Sequence, residues 1–214
     1  MNIIRPKILY PLFSDLTTVN GVGPKTAKLI EKKIGKNLID LLFHLPHSVI
    51  RRLNNLQLKN CPSQSIITKC VKVKKHIPGY YQTRKPYIIF GECEGFEVEI
   101  IFFHFRSEYL KDKFPELTEV MVSGKIEWKK DKVQITHPDY LVNINDKDII
   151  PKFETVYPLT SGITNKIIRK SIQSSLNKIP NNFPEWIPKK LIDEKKWLSF
   201  KKSLEFIHVP QNEK

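Results

Sequence analysis

Between residues 65 and 136 the hydrophobic period of the chain changes from helical to alternating, and this change limits its fold more than any other feature. Five segments, SIITKCVKVKK (65–75), PYIIFGEC (86–93), FEVEIIFFHF (96–105), EVMVSGKIEW (119–128) and KVQIT (132–136), are short, rich in β-branched and aromatic residues, and separated by Gly, Pro or charged turns. Alternation of this kind suits strands that turn one face to a core. The third and fourth segments are split by SEYLKDKFPEL, long enough for a short helix or a turn. Five strands with an insertion at that point follow the OB-fold pattern, and a compact SH3-like barrel would give a similar series.

On both sides of the strands the spacing is helical. In VNGVGPKTAKLIEKKIG (19–35), Pro24 suits a first helical position, Ala27, Ile30 and Ile34 recur at helical spacing, and Gly35 ends the run. NLIDLLFHLP (37–46) predicts a second helix stopped by Pro46. After residue 141, TNKIIRKSIQSSL places Ile167, Ile168, Ile172 and Leu176 on one face. PNNFPEWIP reads as a Pro-rich connector, NINDKD as a solvated loop, and SFKKSLEFIH as a last helix starting at Ser199. The expected fold class is α+β, in three parts: a helical segment (1–60) with a helix-hairpin-helix-like turn, a five-stranded OB-fold β-barrel (61–145), and a helical extension (146–214).

The 214 residues carry a net charge of +14, which raises affinity for polyphosphates through counterion release. Residues 1–60 contribute +7, residues 61–140 only +2, and residues 141–214 the remaining +5. A Lys-, Ile- and Asn-rich composition also arises from genome base bias, so charge alone does not decide between the two origins. No run of eighteen apolar residues occurs, and the first residues are interrupted by Arg5, Pro6 and Lys7, so a cytoplasmic protein without a membrane segment is expected. Cys61, Cys70 and Cys93 form no CxxC pair and read as free thiols. None of the eight glycines sits in a GxxxxGK[ST] loop, and the six histidines fall into no HExxH or Cys/His spacing, so no catalytic residue, metal site or cofactor is expected. His137, before Pro138, reads as a structural turn residue.

Several segments could meet a nucleic acid. The glycines Gly21 and Gly23 let the backbone turn tightly at the head of a helix, leaving N–H groups and the positive helix end to hold a phosphate beside Lys25. An ordinary glycine turn has the same look. In FEVEIIFFHF, Phe96, Val98, Ile100 and Phe102 share one face and Glu97, Glu99, Ile101 and Phe103 the other. With the first set in the core, Phe103 points outward near the strand end, where it could stack on an unpaired base; packing against a neighbouring helix is the alternative. Glu97 and Glu99 would repel phosphate from that face and direct contact to the loops. The segment KKHIPGYYQTRKPY (74–87) offers stacking rings at Tyr80 and Tyr81 and cations at Lys74, Lys75, Arg84 and Lys85. The turn at Lys129 and Lys130 could add phosphate contacts or be merely solvated.

Ordered blocks along the chain resemble the N-terminal wedge region of the RecG family of DNA branch-migration helicases. LTTVNGVGPKTAKLIEKKIGKNLIDLLFHLP (16–46) resembles that family's GVG hairpin followed by DLL-x-HLP, and IIFFHF (100–105) its FFN-type strand end. GKIEWKKDKVQITHPDY (124–140) is similar to its HPEY-ended hairpin, VYPLTSGITNKIIRK (156–170) to its VYP-x-T-x-G block, and LSFKKSLEFIHVP (198–210) to its LH-x-P helix. Two departures stand out. SVIRR (48–52) replaces an RYEDR-like stretch, with only Arg52 matching, and His104 stands where the family has Asn. The resemblance implies a wedge that splits branched DNA, with Phe103 and Tyr109 as the stacking aromatics, although two extra residues precede Tyr109. It also implies a monomer serving DNA repair and recombination at stalled forks and Holliday junctions. ATP and Mg would be needed only by motor domains beyond this chain. Other readings of the barrel are a platform for a partner such as single-stranded DNA-binding protein, and a stand-alone RNA- or single-strand-binding protein.

Overall fold

The computed structural model describes residues 5–79, 85–103, 107–159 and 161–210. In chain order its elements are α1 (Pro24–Glu31), α2 (Leu38–Leu42), β1 (Ser48–Arg51), β2 (Ile66–Ile77), β3 (Tyr87–Cys93), β4 (Phe96–Phe102), α3 (Ser107–Lys113), β5 (Glu119–Lys129), β6 (Lys132–Thr136), β7 (Tyr140–Asn143), β8 (Phe153–Val156), α4 (Asn165–Leu176), α5 (Lys189–Lys195) and α6 (Phe200–His208). They divide into two compact units. Arg51–Lys152 form one; the described residues up to Ile50, together with those from Phe153 onward, form the other.

The first unit is a closed five-stranded barrel of OB type. Strand β2 pairs antiparallel with β3, β3 with β4, and β5 with β6, while β4 and β6 run parallel and β2 closes the ring antiparallel to β5. Strand β7 adds to β5 outside this ring. The alternation expected for β4 holds: Val98 and Ile100 are buried in the barrel core, with Phe96 and Phe102 packed against it. Leu110 and Phe114, on and just after α3, are buried in the same core, which places this helix between the third and fourth barrel strands. A small barrel needs sharply bent strands. At Gly91 a Cβ would lie 2.5 Å from Val71 Cγ1 and 2.8 Å from the Lys72 carbonyl, and the β2 register shifts between Val73 and Lys75. Glycine at this close approach beside a bulge lets β2 and β3 bend together.

The second unit has its own core. Leu12, Leu16, Val19, Val22, Ile30, Leu38, Leu41 and Leu42 pack with Tyr157, Ile163, Ile168, Ile172, Leu176, Ile179 and Leu204. Helix α4 starts where Thr164 accepts the Ile167 N–H, and its buried face carries Ile168, Ile172 and Leu176. The buried His208 donates from Nε2 to the Leu42 carbonyl at 2.8 Å, and its Nδ1 is hydrogen-bonded to the Tyr157 hydroxyl, 2.9 Å away. A carbonyl can only accept, so Nε2 carries a proton, and burial, which lowers the pKa of the ring, favours the neutral form in which Nδ1 accepts from Tyr157. His44 stacks on Tyr157 with ring centroids 5.8 Å apart.

Some elements differ from the expectation. Where a helix-hairpin-helix turn would have its first helix, the chain forms 3-10 turns, Lys7–Phe13 and Leu16–Thr18, the latter capped by Asp15, which accepts the Thr17 N–H at 2.8 Å. Residues after the Pro-rich connector form α5, and the expected NINDKD loop is a 3-10 helix, Ile144–Ile149. Strands β1 and β8 pair with each other.

Candidate nucleic-acid interface

In the barrel unit, Phe103 follows directly on β4 and is 51% exposed. Two hydrogen bonds prolong the β4–β6 pairing beyond Thr136: the His137 N–H donates to the Ile101 carbonyl at 2.9 Å, and the Phe103 N–H donates to His137 Nε2 at 3.2 Å. The imidazole lies 5.8 Å from the Phe103 ring and 6.0 Å from Phe102, edge-on to the latter. His137 is a turn residue, as expected, with φ of 46°; its bond to Phe103 is a contact that single-strand periodicity does not reveal.

Tyr109 is 55% exposed on α3, whereas the adjacent Leu110 is buried. Its hydroxyl accepts from Lys113 Nζ at 2.9 Å, and the same ammonium lies 5.3 Å from the ring centre. This pair makes a cationic aromatic edge. Among the described residues, Phe103 and Tyr109 share no ring contact.

The hairpin between β2 and β3 narrows at Gly79, where a Cβ would sit 2.5 Å from the Lys85 carbonyl oxygen. Tyr80, Tyr81 and Arg84 lie outside the described residues, as does His104. On the hairpin legs, Lys74 pairs with Glu92 at 2.9 Å, Lys75 stands 5.3 Å over the Phe90 ring, and Lys85 is exposed. The hydrogen bond and charge of Lys74 hold the Glu92 carboxyl below the usual carboxylate range. Lys129 pairs with Glu127 at 3.3 Å, and Lys130 takes the turn with φ of 56°.

The acidic face of β4 is less repulsive than its sequence suggests. Lys132 and Gln134 on β6 donate to Glu99 at 2.9 Å and 2.6 Å, and Lys132 also stands 4.0 Å from Glu97. Burial pushes the Glu99 carboxyl up, but these donors outweigh it and the net shift is downward.

In the helical unit, the glycine turn sits at the head of α1. Gly21 has φ of 83°, the left-handed region that favours glycine, whereas Gly23 is extended and a Cβ there would meet nothing within 4 Å. Only Gly21 is conformationally required. The intrahelical ladder begins with the Ala27 N–H to the Gly23 carbonyl, so the Lys25 and Thr26 amides precede it. Lys25 is exposed.

Among the described residues no group of three His, Cys, Asp or Glu could hold a metal ion, and no helix is long and apolar enough to cross a membrane. Cys61, Cys70 and Cys93 are free thiols, and burial pushes the Cys93 thiol up to about 11.

The family model described as the RecG wedge domain matches residues 15–179. The chain belongs to the RecG wedge family. It is 25% identical to the ATP-dependent DNA helicase RecG of Bacillus subtilis, with 92% of this chain and 28% of that protein covered. It is 27% identical to RecG of Streptococcus pneumoniae, covering 94% of this chain and 29% of the relative. For RecG of Thermotoga maritima the identity is 23%, over 94% of this chain and 26% of the relative. The chain therefore spans little more than a quarter of these relatives. A solved structure of RecG bound to a three-way DNA junction has the same fold, with a TM-score of 0.73 at 20% identity over 98% of this chain and 28% of that one. Several of the RecG-like blocks meet in space. Leu42, Tyr157 and His208, from the DLL, VYP and LH-x-P blocks, are joined by hydrogen bonds at one buried histidine. In the HPDY block, Asp139 accepts from Arg52 at 2.8 Å.

Proposed function

We propose that this chain binds branched DNA as the wedge module of a RecG-like helicase, with Phe103 stacking on a base freed at the branch point. The observation that carries the reading is the half-exposed Phe103 ring at the end of a strand whose alternate residues fill the barrel core. A bare aromatic face on a rigid mount stacks on any base and contributes about 1–3 kcal/mol. Tyr109 with Lys113 supplies a second stacking edge. The segment between β2 and β3 would add a loop contact through Lys74, Lys75, Tyr80, Tyr81, Arg84 and Lys85, whereas Lys129 and Lys130, at the turn where Lys132 lies opposite Glu97, would meet phosphate at the other end of the barrel. Gly21, Gly23 and Lys25 hold a phosphate at the head of α1, a contact that ignores base sequence. ATP and Mg belong to motor segments of the longer relatives, and this module acts as a monomer without catalysis of its own.

The test is binding to a three- or four-way DNA junction against matched duplex, single-stranded DNA and RNA across a salt series. Junction preference with a steep loss of affinity at high salt is expected. Equal affinity for branched and unbranched DNA would refute the reading. Phe103→Ala should lower junction selectivity more than duplex affinity.

A further inference from the structure

We infer that His137 is the positioning residue for Phe103, holding the end of β4 so that the aromatic ring stands outward in a fixed pose. The inference rests on the stacking role given to Phe103 above. In the parallel pairing of β4 with β6, Ile101 lies opposite Thr136, and there the β6 strand ends. A strand end without further pairing frays, and a ring on a fraying end would have to be ordered by the DNA at an entropic cost. The imidazole takes over where the strand stops. Its Nε2 accepts the Phe103 N–H at 3.2 Å, while the backbone N–H of the same histidine reaches the Ile101 carbonyl at 2.9 Å. The ring also lies edge-on to Phe102, which packs against the barrel core, so His137 ties the outward ring to the inward one.

His137 is itself held by a turn fastened at three places. Its φ of 46° is unusual for a residue with a side chain, and such backbone persists where the surroundings over-determine it. Pro138 lies so close to Gly124 of β5 that a Cβ there would come within 3.0 Å of the Pro138 Cα. Asp139 is bound by Arg52 at 2.8 Å, and the guanidinium of Arg52 lies 4.9 Å from the centre of the Tyr140 ring. The four residues His137–Tyr140 thus form a bracket from the barrel wall to the stacking ring.

The acceptor role sets the chemistry. An amide donor needs a lone pair on Nε2, so the imidazole serves with that nitrogen unprotonated. A glutamine carbonyl has a similar reach and can replace it. Alanine cannot, and arginine offers only donors.

The experiment uses the full chain, with a four-way junction and matched duplex as probes read by fluorescence anisotropy. The variants are His137→Ala, His137→Gln, His137→Arg, Phe103→Ala and the His137→Ala/Phe103→Ala double variant. His137→Ala should lower the junction-over-duplex preference by about fivefold, part of the loss expected from removing the stack. Duplex affinity should hold, and His137→Gln should recover most of the preference. The double variant should be no worse than Phe103→Ala alone, because the two residues act as one unit. His137→Arg keeps the bulk of the side chain and gives a second route to the same loss should the alanine variant melt early. If Phe103→Ala loses the preference while His137→Ala and His137→Arg keep it, the positioning role is wrong and the stacking role stands. A glutamine variant as deficient as alanine, or fully additive losses, would also overturn it. If Phe103→Ala keeps the preference, the stacking role fails and this inference falls with it.

Discussion

Arg52 is 1% exposed, and its Nη1 donates to the buried Ser123 hydroxyl at 3.0 Å and to Asp139 at 2.8 Å. The carboxylate partner is 46% exposed and would stay hydrated if the arginine were removed. The penalty for an abandoned buried charge therefore does not apply in full. Arg52→Met should cost about 2 kcal/mol, from the lost hydrogen bonds rather than from ion pairing, as read by urea unfolding. His208 gives a pH dependence. Burial lowers its pKa from 6.5 and His44 adds to the effect, against the opposing bond to the Leu42 carbonyl. The unfolded chain then takes up the proton first, so the contribution of His208 is complete above about pH 6.5 and shrinks as the pH falls below it. The melting midpoint should drop between pH 7 and pH 5, and His208→Gln should flatten that slope.

At the scale of elements, barrel closure is most exposed to change at Gly91. A Gly91→Val side chain would meet Val71 and the Lys72 carbonyl at once, and should destabilise the chain by about 1–3 kcal/mol, visible as a lower melting temperature. Thr164→Ala at the start of α4 should cost about 1 kcal/mol by the same measurement. The barrel strands were legible because each is long enough for its alternation to show, and α4 and α6 because Thr164 and Ser199 stand before apolar faces. Strands β1 and β8 were not, since SVIR and FETV are four residues each and their pairing joins positions about a hundred residues apart. Helix α5 follows a proline-rich stretch and buries none of its residues, so its sequence carries no apolar stripe. The outward side of Phe103 followed from alternation along one strand. Its bond to His137 depends on the register of β4 against β6, which no single segment encodes. Likewise Lys69 reads as an ordinary strand lysine, yet it is nearly buried and bound to Glu94 at 2.6 Å.

For the whole molecule, the barrel unit is an insertion between two stretches that share one core. Its ends are adjacent: the His47 N–H donates to the Val156 carbonyl at 2.9 Å, and the Arg52 N–H to the Lys152 carbonyl at 3.0 Å. Residues 51–152 should therefore fold when expressed alone, and the helical unit should fold when they are replaced by a short glycine-serine linker; circular dichroism and cooperative melting check both. The uneven charge predicts how binding divides between them. The helical unit, built from the more basic ends, should bind duplex with the steeper salt dependence, and junction preference should stay with the barrel. Helical periodicity at the two ends of the chain shows that each forms helices, but not that Leu42 and Tyr157 share a core, because the partners of an amphipathic face are not written in its spacing.

Adjacent insertion ends also have a consequence for the gene. A module entering and leaving its host at neighbouring backbone positions can be gained, lost or exchanged as one uninterrupted stretch of reading frame, with little disturbance to the fold that carries it. Recombination between related genes could then trade barrels, and with them the rings that meet DNA, while Leu42, Tyr157 and His208 keep the host fold closed.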